Sequence, residues 1–235
     1  MARRPLLVLA VVAAWTAGGL WLERSTGPAG QLALGVLTVC VLAGLLVLHS
    51  PRERLQTALV VCVASGAEVV GSLLWGVYAY RLDNLPAFVP PGHGLVYLAG
   101  LALAQAARAR EARLVQAAAV ALAAWGALSL LLAPTPDVAG AIGCATLLAV
   151  LARTGRPVYA GVFFVVAVLE LYGTALGTWT WAPAVPGLGL PQANPPSGVA
   201  SGYVLFDVLA LAAAPRLARL ARRLPLPAPL RPSPT

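Results

Sequence analysis

The sequence predicts an all-α, polytopic integral membrane protein of about eight transmembrane helices, and three observations carry the prediction. Sixty per cent of the 235 residues are apolar and 10% are charged, at a mean hydropathy of +0.83; an average soluble domain carries about a quarter charged residues. The apolar residues gather into runs near the roughly 20 residues that a spanning helix needs, broken by short connections holding Arg, Pro, Gly or Asp. The arginines, finally, fall almost entirely at alternate connections, as topology signals do.

The first run follows Met1-Ala-Arg-Arg4 and continues to Trp21. It is long, and no small-x-small cleavage site precedes Glu23-Arg24, so it reads as a retained span rather than a signal peptide. Further spans are expected over about 29–49, 56–80, 93–107, 114–133, 136–152, 157–181 and 199–215. Helix is the expected state throughout, because open sheet edges cannot be satisfied in hydrocarbon. One side of the array collects Arg3, Arg4, Arg52, Arg54, Arg108, Arg110, Arg113, Arg153, Arg156, Arg216, Arg219, Arg222, Arg223 and Arg231, and the other only Arg24 and Arg81. That distribution puts both termini in the cytoplasm of a multi-pass protein of the cell (inner) membrane. Pro-rich Leu224–Thr235 lacks a helical period and is expected to be a disordered cytoplasmic tail.

One statement is made twice along the chain. Glu68-Val-Val-Gly-Ser-Leu-Leu-Trp-Gly-Val-Tyr-Ala-Tyr80 is echoed by Glu170-Leu-Tyr-Gly-Thr-Ala-Leu-Gly-Thr-Trp-Thr-Trp181. Each has a Glu, a Gly three residues on, a hydroxyl residue four on, two aromatics near the end of the run and a Pro-rich connection beyond. Ala13-Ala14-Trp15 likewise returns as Ala123-Ala124-Trp125. These echoes predict two four-helix halves in tandem, residues 1–110 and 111–223, with parallel topology about an axis along the membrane normal.

Chemistry is expected where acids lie inside apolar runs. At 1.5 Å per residue Glu68 and Glu170 fall about 18–20 Å along their spans, near the midplane, and Asp207 reaches a comparable depth from the other side. A carboxylate facing lipid costs at least a few kcal/mol, so all three are expected to face the bundle interior as catalytic candidates, together with His93. Ser72 and Thr174, one turn on, could donate hydrogen bonds to the two glutamates. Trp75, Tyr78, Tyr80, Tyr97, Trp179, Trp181, Asn194 and Tyr203 are the candidate substrate contacts, lining an aromatic-walled cavity with an acidic floor that opens outward or sideways. Plainer readings stand beside these: an intramembrane Glu can simply tie helices together, Trp and Tyr anchor span ends at the interface, and His93 can cap its helix.

Other classes are excluded. A basic pI of 10.3 could suggest nucleic acid, but the arginines sit at span ends. Cys40, Cys62 and Cys144 lie inside apolar runs without CxxC spacing. Two histidines cannot build a three-His zinc site, and no GxSxG, HExxH or P-loop occurs. No metal and no organic cofactor is called for.

Trp179-Thr-Trp181 followed by Gly187-Leu-Gly189-Leu-Pro191-Gln-Ala-Asn194 resembles the W-x-W…G-x-P-x-x-N pattern of a bacterial and archaeal family of carotenoid-biosynthesis membrane proteins that includes the bisanhydrobacterioruberin hydratases. Glu68 through Gly76, Tyr78, Tyr80 and Pro86 is similar to that family's E…G-x-Y-x-Y segment. The resemblance covers about a quarter of the chain and departs at Pro195-Pro196, where the family continues aromatic-rich. It implies a polytopic enzyme that adds water to an isoprenoid double bond.

Three functions follow as expectations. The leading one is acid–base chemistry, hydration or cyclisation through protonation, on a lipophilic isoprenoid: a carboxyl in low dielectric resists ionisation and is available as an acid, and aromatic faces stabilise a cation. Glu68 or Glu170 would be the acid, and Asp207 the base or electrostatic partner. The second is a proton-coupled transporter, and the third a lipid-binding or assembly subunit in which the carboxyls only bond helices. Membrane lipid or an isoprenoid is the expected partner; oligomeric state is not encoded in any pattern seen.

Overall fold

The computed structural model describes residues 3–223. The expected tail at 224–235 lies outside the described residues. Among the described residues the chain forms α1 (Arg3–Glu23), α2 (Pro28–Val47), α3 (Pro51–Glu68), β1 (Tyr78–Tyr80), α4 (Val89–Ala106), α5 (Glu111–Leu131), α6 (Val138–Thr154), α7 (Pro157–Ala175), β2 (Trp179–Trp181), β3 (Ala184–Val185), β4 (Leu190–Pro191) and α8 (Ala200–Arg223). Five helical stretches are long and apolar enough to cross a membrane: α1, α2, α3 with its extension to Trp75, Arg108–Leu131 and α7.

The helix boundaries follow from local chemistry. Pro occupies the first turn of α2, α3 and α7, where its missing N–H is not needed. Ser50 and Glu53 form a reciprocal capping box at the start of α3, satisfying two otherwise orphan donors. Asp137 accepts from Gly140 N at 3.1 Å to cap α6, and left-handed Gly155 ends that helix.

Packing sorts the helices by depth. α4 packs on α7 and α3 on α8, with α1 and α2 flanking α4, and α5 and α6 flanking α7 and α8. Tyr97, Leu98, Tyr159, Phe163, Leu122 and Leu147 fill the centre. The periphery exposes Leu37, Leu74, Leu131 and Val168, which suits a hydrocarbon surround. The α4–α7 crossing depends on glycine: a Cβ on Gly161 would run into the Gly100 carbonyl, and one on Gly100 into Val162. Such small-residue contacts let backbones approach where no hydrophobic effect drives helices together.

The expected spans 56–80 and 157–181 do not end as helices. α3 passes into π-helical turns at Val69–Trp75, and left-handed Gly76 stops it (φ 73°); α7 ends at Ala175, before left-handed Gly177 (φ 71°). Both chains then become strands. β1 and β2 pair antiparallel, with Tyr78 opposite Trp181 and Tyr80 opposite Trp179, while β3 pairs with β4. The expectation that sheet could not occur assumed exposure to lipid. Here the ladder is continued by Arg81 N to Thr178 O and Ala182 N to Val77 O, both 3.0 Å, and Gln192 Nε2 donates to Val77 O at 3.0 Å.

Gly161→Ala should force α4 and α7 apart and destabilise by about 1–3 kcal/mol, the range for overpacking a tight core. Gly18→Ala on α1, with nothing within 4 Å of the added Cβ, should be neutral or slightly stabilising. Thermal unfolding in neutral detergent reads both.

Candidate functional site

The β1–β2 pair is the roof of the site. Residues opposite one another, and residues two apart along a strand, share a sheet face. Tyr78, Tyr80, Trp179 and Trp181 therefore all point one way, and Ala79 and Thr180, both exposed, the other. The four rings form a continuous layer, with Tyr78 and Trp181 centroids 4.6 Å apart and Tyr80 and Trp179 6.2 Å apart.

Their polar tips converge on two buried carboxylates. Tyr78 and Tyr80 each donate to Glu68 Oε2 at 2.7 Å. Trp179 and Trp181 donate to Glu170 Oε2 at 2.9 and 3.2 Å. The remaining oxygen of each Glu meets the next helix along: His93 Nε2 of α4 lies 2.8 Å from Glu68 Oε1, and Tyr203 of α8 donates to Glu170 Oε1 at 3.0 Å. Glu68 is 7% exposed, Glu170 2% and His93 4%. His93 and Tyr203 stack with centroids 4.8 Å apart, so the two clusters touch.

The glycine three residues after each Glu now has a reason. A Cβ on Gly71 would lie 3.1 Å from the Tyr78 ring, and one on Gly173 would overlap the Trp179 ring. Each glycine leaves room for the first aromatic of the strand to fold back onto the carboxylate. The hydroxyl residues do something other than expected: Ser72 and Thr174 donate to the backbone carbonyls of Glu68 and Glu170, both at 2.7 Å, and leave the carboxylates to the aromatics.

Beneath the roof lies a cavity of about 400 Å³. Glu68, Glu170, His93, Trp75, Tyr78, Tyr80, Trp179, Trp181 and Tyr203 line it, with Trp15, Thr38 and Phe206 among the other walls. Val70 and Trp75 on its α3 wall are 50% and 48% exposed, so it opens sideways past α3. The strand pair covers the end of the cavity beyond the ends of α3 and α7. His93 Nδ1 is buried without a hydrogen-bond partner among the described residues.

Three expected site residues stand elsewhere. Asp207 is buried (2% exposed) but does not line the cavity; it lies within coulombic range of Tyr97 and Tyr159, and its Oδ2 is unpaired among the described residues. One helical turn separates it from Tyr203, which puts it below the glutamate layer rather than in it. Tyr97, likewise a turn beyond His93, donates to Gln56 at 3.1 Å. Asn194 is exposed and accepts from Trp181 N at 3.0 Å, so it braces the roof. His93 is no cap: it sits inside α4, paired to Glu68.

Two acids were not singled out by sequence. Glu23, fully buried, takes Gln31 Nε2 at 2.8 Å and Arg81 Nη2 at 2.9 Å. Asp137, also fully buried, takes Ala193 N at 2.9 Å and both Ser197 N and Oγ at 2.7 Å. Each ties the connection following a strand to the turn between two helices, and so fixes the roof at both ends. Arg81, which on charge counting is an exception on the outward side, was the available signal for Glu23.

No protein-family model, curated protein or solved structure matches this chain. The site's own chemistry therefore carries the reading. Among the described residues no group of three or more His, Cys, Asp or Glu could hold a metal ion, and the polar groups that converge are suited to moving protons.

Gly173→Ala should push the Trp179 ring off Glu170. Losing a hydrogen bond to a charged group costs about 1.5–3 kcal/mol, so the variant should melt earlier, with tryptophan emission shifted to the red; unchanged emission would contradict this placement.

Proposed function

We propose that the protein is an eight-span membrane enzyme that performs acid–base chemistry on a lipophilic, isoprenoid-type substrate entering its cavity from the bilayer. The observation that carries the reading is the 2.8 Å Glu68–His93 pair facing a largely apolar, laterally open cavity, with His93 Nδ1 unpartnered. A carboxylate–imidazole pair can hold a proton on either partner, which is what a general acid that must later act as a base requires.

The step balances with water as co-reactant. The pair's proton passes to one alkene carbon, the π electrons form the new C–H bond, and the adjacent carbon is left cationic. Water adds to that carbon and returns a proton to the pair; loss of a neighbouring C–H proton, or ring closure, are the alternative endings. Glu68 with His93 takes the acid–base role in this reading, in place of Glu68 or Glu170 with Asp207. Glu170 is suited to a fixed position rather than to proton relay: Trp179 and Trp181 can only donate to one oxygen, and Tyr203 holds the other. The choice of an isoprenoid rests on the resemblance to the carotenoid hydratase family and on the aromatic walls.

The reading includes a tandem repeat, with both termini in the cytoplasm of the cell membrane. Three correspondences support the repeat. The two glutamates have equivalent partners on a strand and on the next helix; the α4–α7 and α3–α8 contacts exchange if α1–α4 is laid on α5–α8; and antiparallel pairing of β1 with β2 is what a two-fold axis through the roof requires. A second reading, a proton-coupled carrier, has one observation in its favour, the π-helical turns that loosen α3 immediately after Glu68.

Purified protein presented with acyclic isoprenoid lipids should yield products heavier by one water, or isomers separable by chromatography before mass spectrometry. Glu68→Gln and His93→Gln should each lower turnover about 100-fold or more, the scale of general acid–base catalysis, whereas Asp207→Asn should keep most of it. Unaltered turnover in both of the first two variants would sink the assignment. pH-driven uptake without any product would favour the carrier.

A further inference from the structure

The cavity's charge balance says something about its occupant. Its lining contains two carboxyl groups, Glu68 and Glu170, and among the described residues no arginine lines it; the chain has no lysine at all. Glu68 has His93 beside it, which balances its charge only when the imidazole is protonated. Glu170 has no such counter-ion, for its three partners, Trp179, Trp181 and Tyr203, are neutral donors. A buried carboxyl without a counter-ion ionises most readily when a positive charge lies beside it, so a cationic occupant and an ionised Glu170 favour one another. The rings reinforce this, since an aromatic face is electron-rich and binds cations, and the indole and phenol tips are turned to the carboxylates, leaving ring surface to the cavity. With Nε2–H donated to an ionised Glu68 the imidazole is neutral, so the pair keeps a negative charge and His93 Nδ1 is a buried lone pair without a donor. The missing piece is a cationic group carrying an N–H.

We infer that the cavity selects positive charge on its occupant: it binds a lipophilic amine in its protonated form in preference to a neutral or anionic lipid of the same chain. This rests on the proposed function in one respect, that such an amine imitates the cation which proton transfer leaves on the substrate. The bound ammonium would donate to His93 Nδ1, lie near Glu170 and present its alkyl groups to the aromatic walls, while its chain leaves past Val70 and Trp75. The same arrangement explains why Glu170 is held so firmly without a counter-ion in the protein: its partner is the ligand.

The test uses the full chain in neutral maltoside micelles with N,N-dimethyldodecylamine, dodecanol and dodecanoate, at a pH where the amine is protonated. Binding is read by native mass spectrometry and by the emission of Trp15, Trp75, Trp179 and Trp181, which line the cavity. Wild-type protein should bind the amine at least about tenfold more tightly than the alcohol, equivalent to about 1.4 kcal/mol, and the fatty acid most weakly. Glu170→Gln should remove most of that preference, weakening amine binding far more than alcohol binding. Equal binding of amine and alcohol by wild type, or preference for the fatty acid, would overturn the inference without recourse to any variant. The two ideas fail separately: isoprenoid turnover without cation preference discards this inference and keeps the proposed function, and cation preference without turnover does the reverse.

Discussion

Everything outward of the helices depends on keeping two carboxylates satisfied without water. A buried carboxylate that lacks donors costs several kcal/mol, and the helix bearing it cannot supply them, because its own N–H groups are committed to the backbone. The chain solves this by ending each Glu-bearing helix one to two turns later and returning as a strand whose alternate side chains reach back. Tyr78 and Tyr80 serve Glu68, and Trp179 and Trp181 serve Glu170. A lone strand would trade one set of orphan groups for another. Pairing β1 with β2 satisfies both backbones at once, so neither carboxylate can be served without the other's strand.

That constraint also accounts for the difference between the two settings. The left-handed glycine follows Glu68 by eight residues (Gly76) and Glu170 by seven (Gly177). The extra residue is taken up by the π-helical turns at Val69–Trp75, where i→i+5 bonding accommodates one more residue per turn. Both strands thereby arrive in register despite the mismatch. The donors differ too, phenols and an imidazole on one side, indoles and a phenol on the other. Only the first set contains an imidazole, whose ring nitrogens can either donate or accept, and the two glutamates therefore differ in what they can do although they are held alike.

Much of this was legible in the sequence and the remainder was not, for identifiable reasons. Apolar runs and alternating arginines located a helix at every expected span, because both signals are set by the solvent around the chain rather than by tertiary detail. The echo around Glu68 and Glu170 located the site. The strands escaped because Tyr78–Tyr80 and Trp179–Trp181 continue their apolar runs without a break in composition; only Gly76 and Gly177 mark the stops, in a chain with 23 glycines. Depth counting placed Asp207 beside the glutamates because it was too coarse to resolve the one helical turn that separates Asp207 from Tyr203, which reaches Glu170 from the same face of α8. His93 was named but not paired, since its partner lies 25 residues away across a strand and a loop.

The polar struts complete the argument from fold to ligand. Glu23 with Arg81 and Asp137 with Ser197 fasten the connections that leave β1 and β2, and burying charge and amide groups this fully is worthwhile only where position matters more than a small gain in stability. A roof fastened at both ends does not serve as an easy outward door. The remaining route passes the half-exposed Val70 and Trp75, on a face that in the proposed function meets the bilayer. A molecule that arrives there is already dissolved in the bilayer, so the cavity need supply nothing for its apolar part beyond shape. In the proposed function the binding energy of such a molecule goes to two carboxyl positions held by aromatic donors, Glu68 and Glu170.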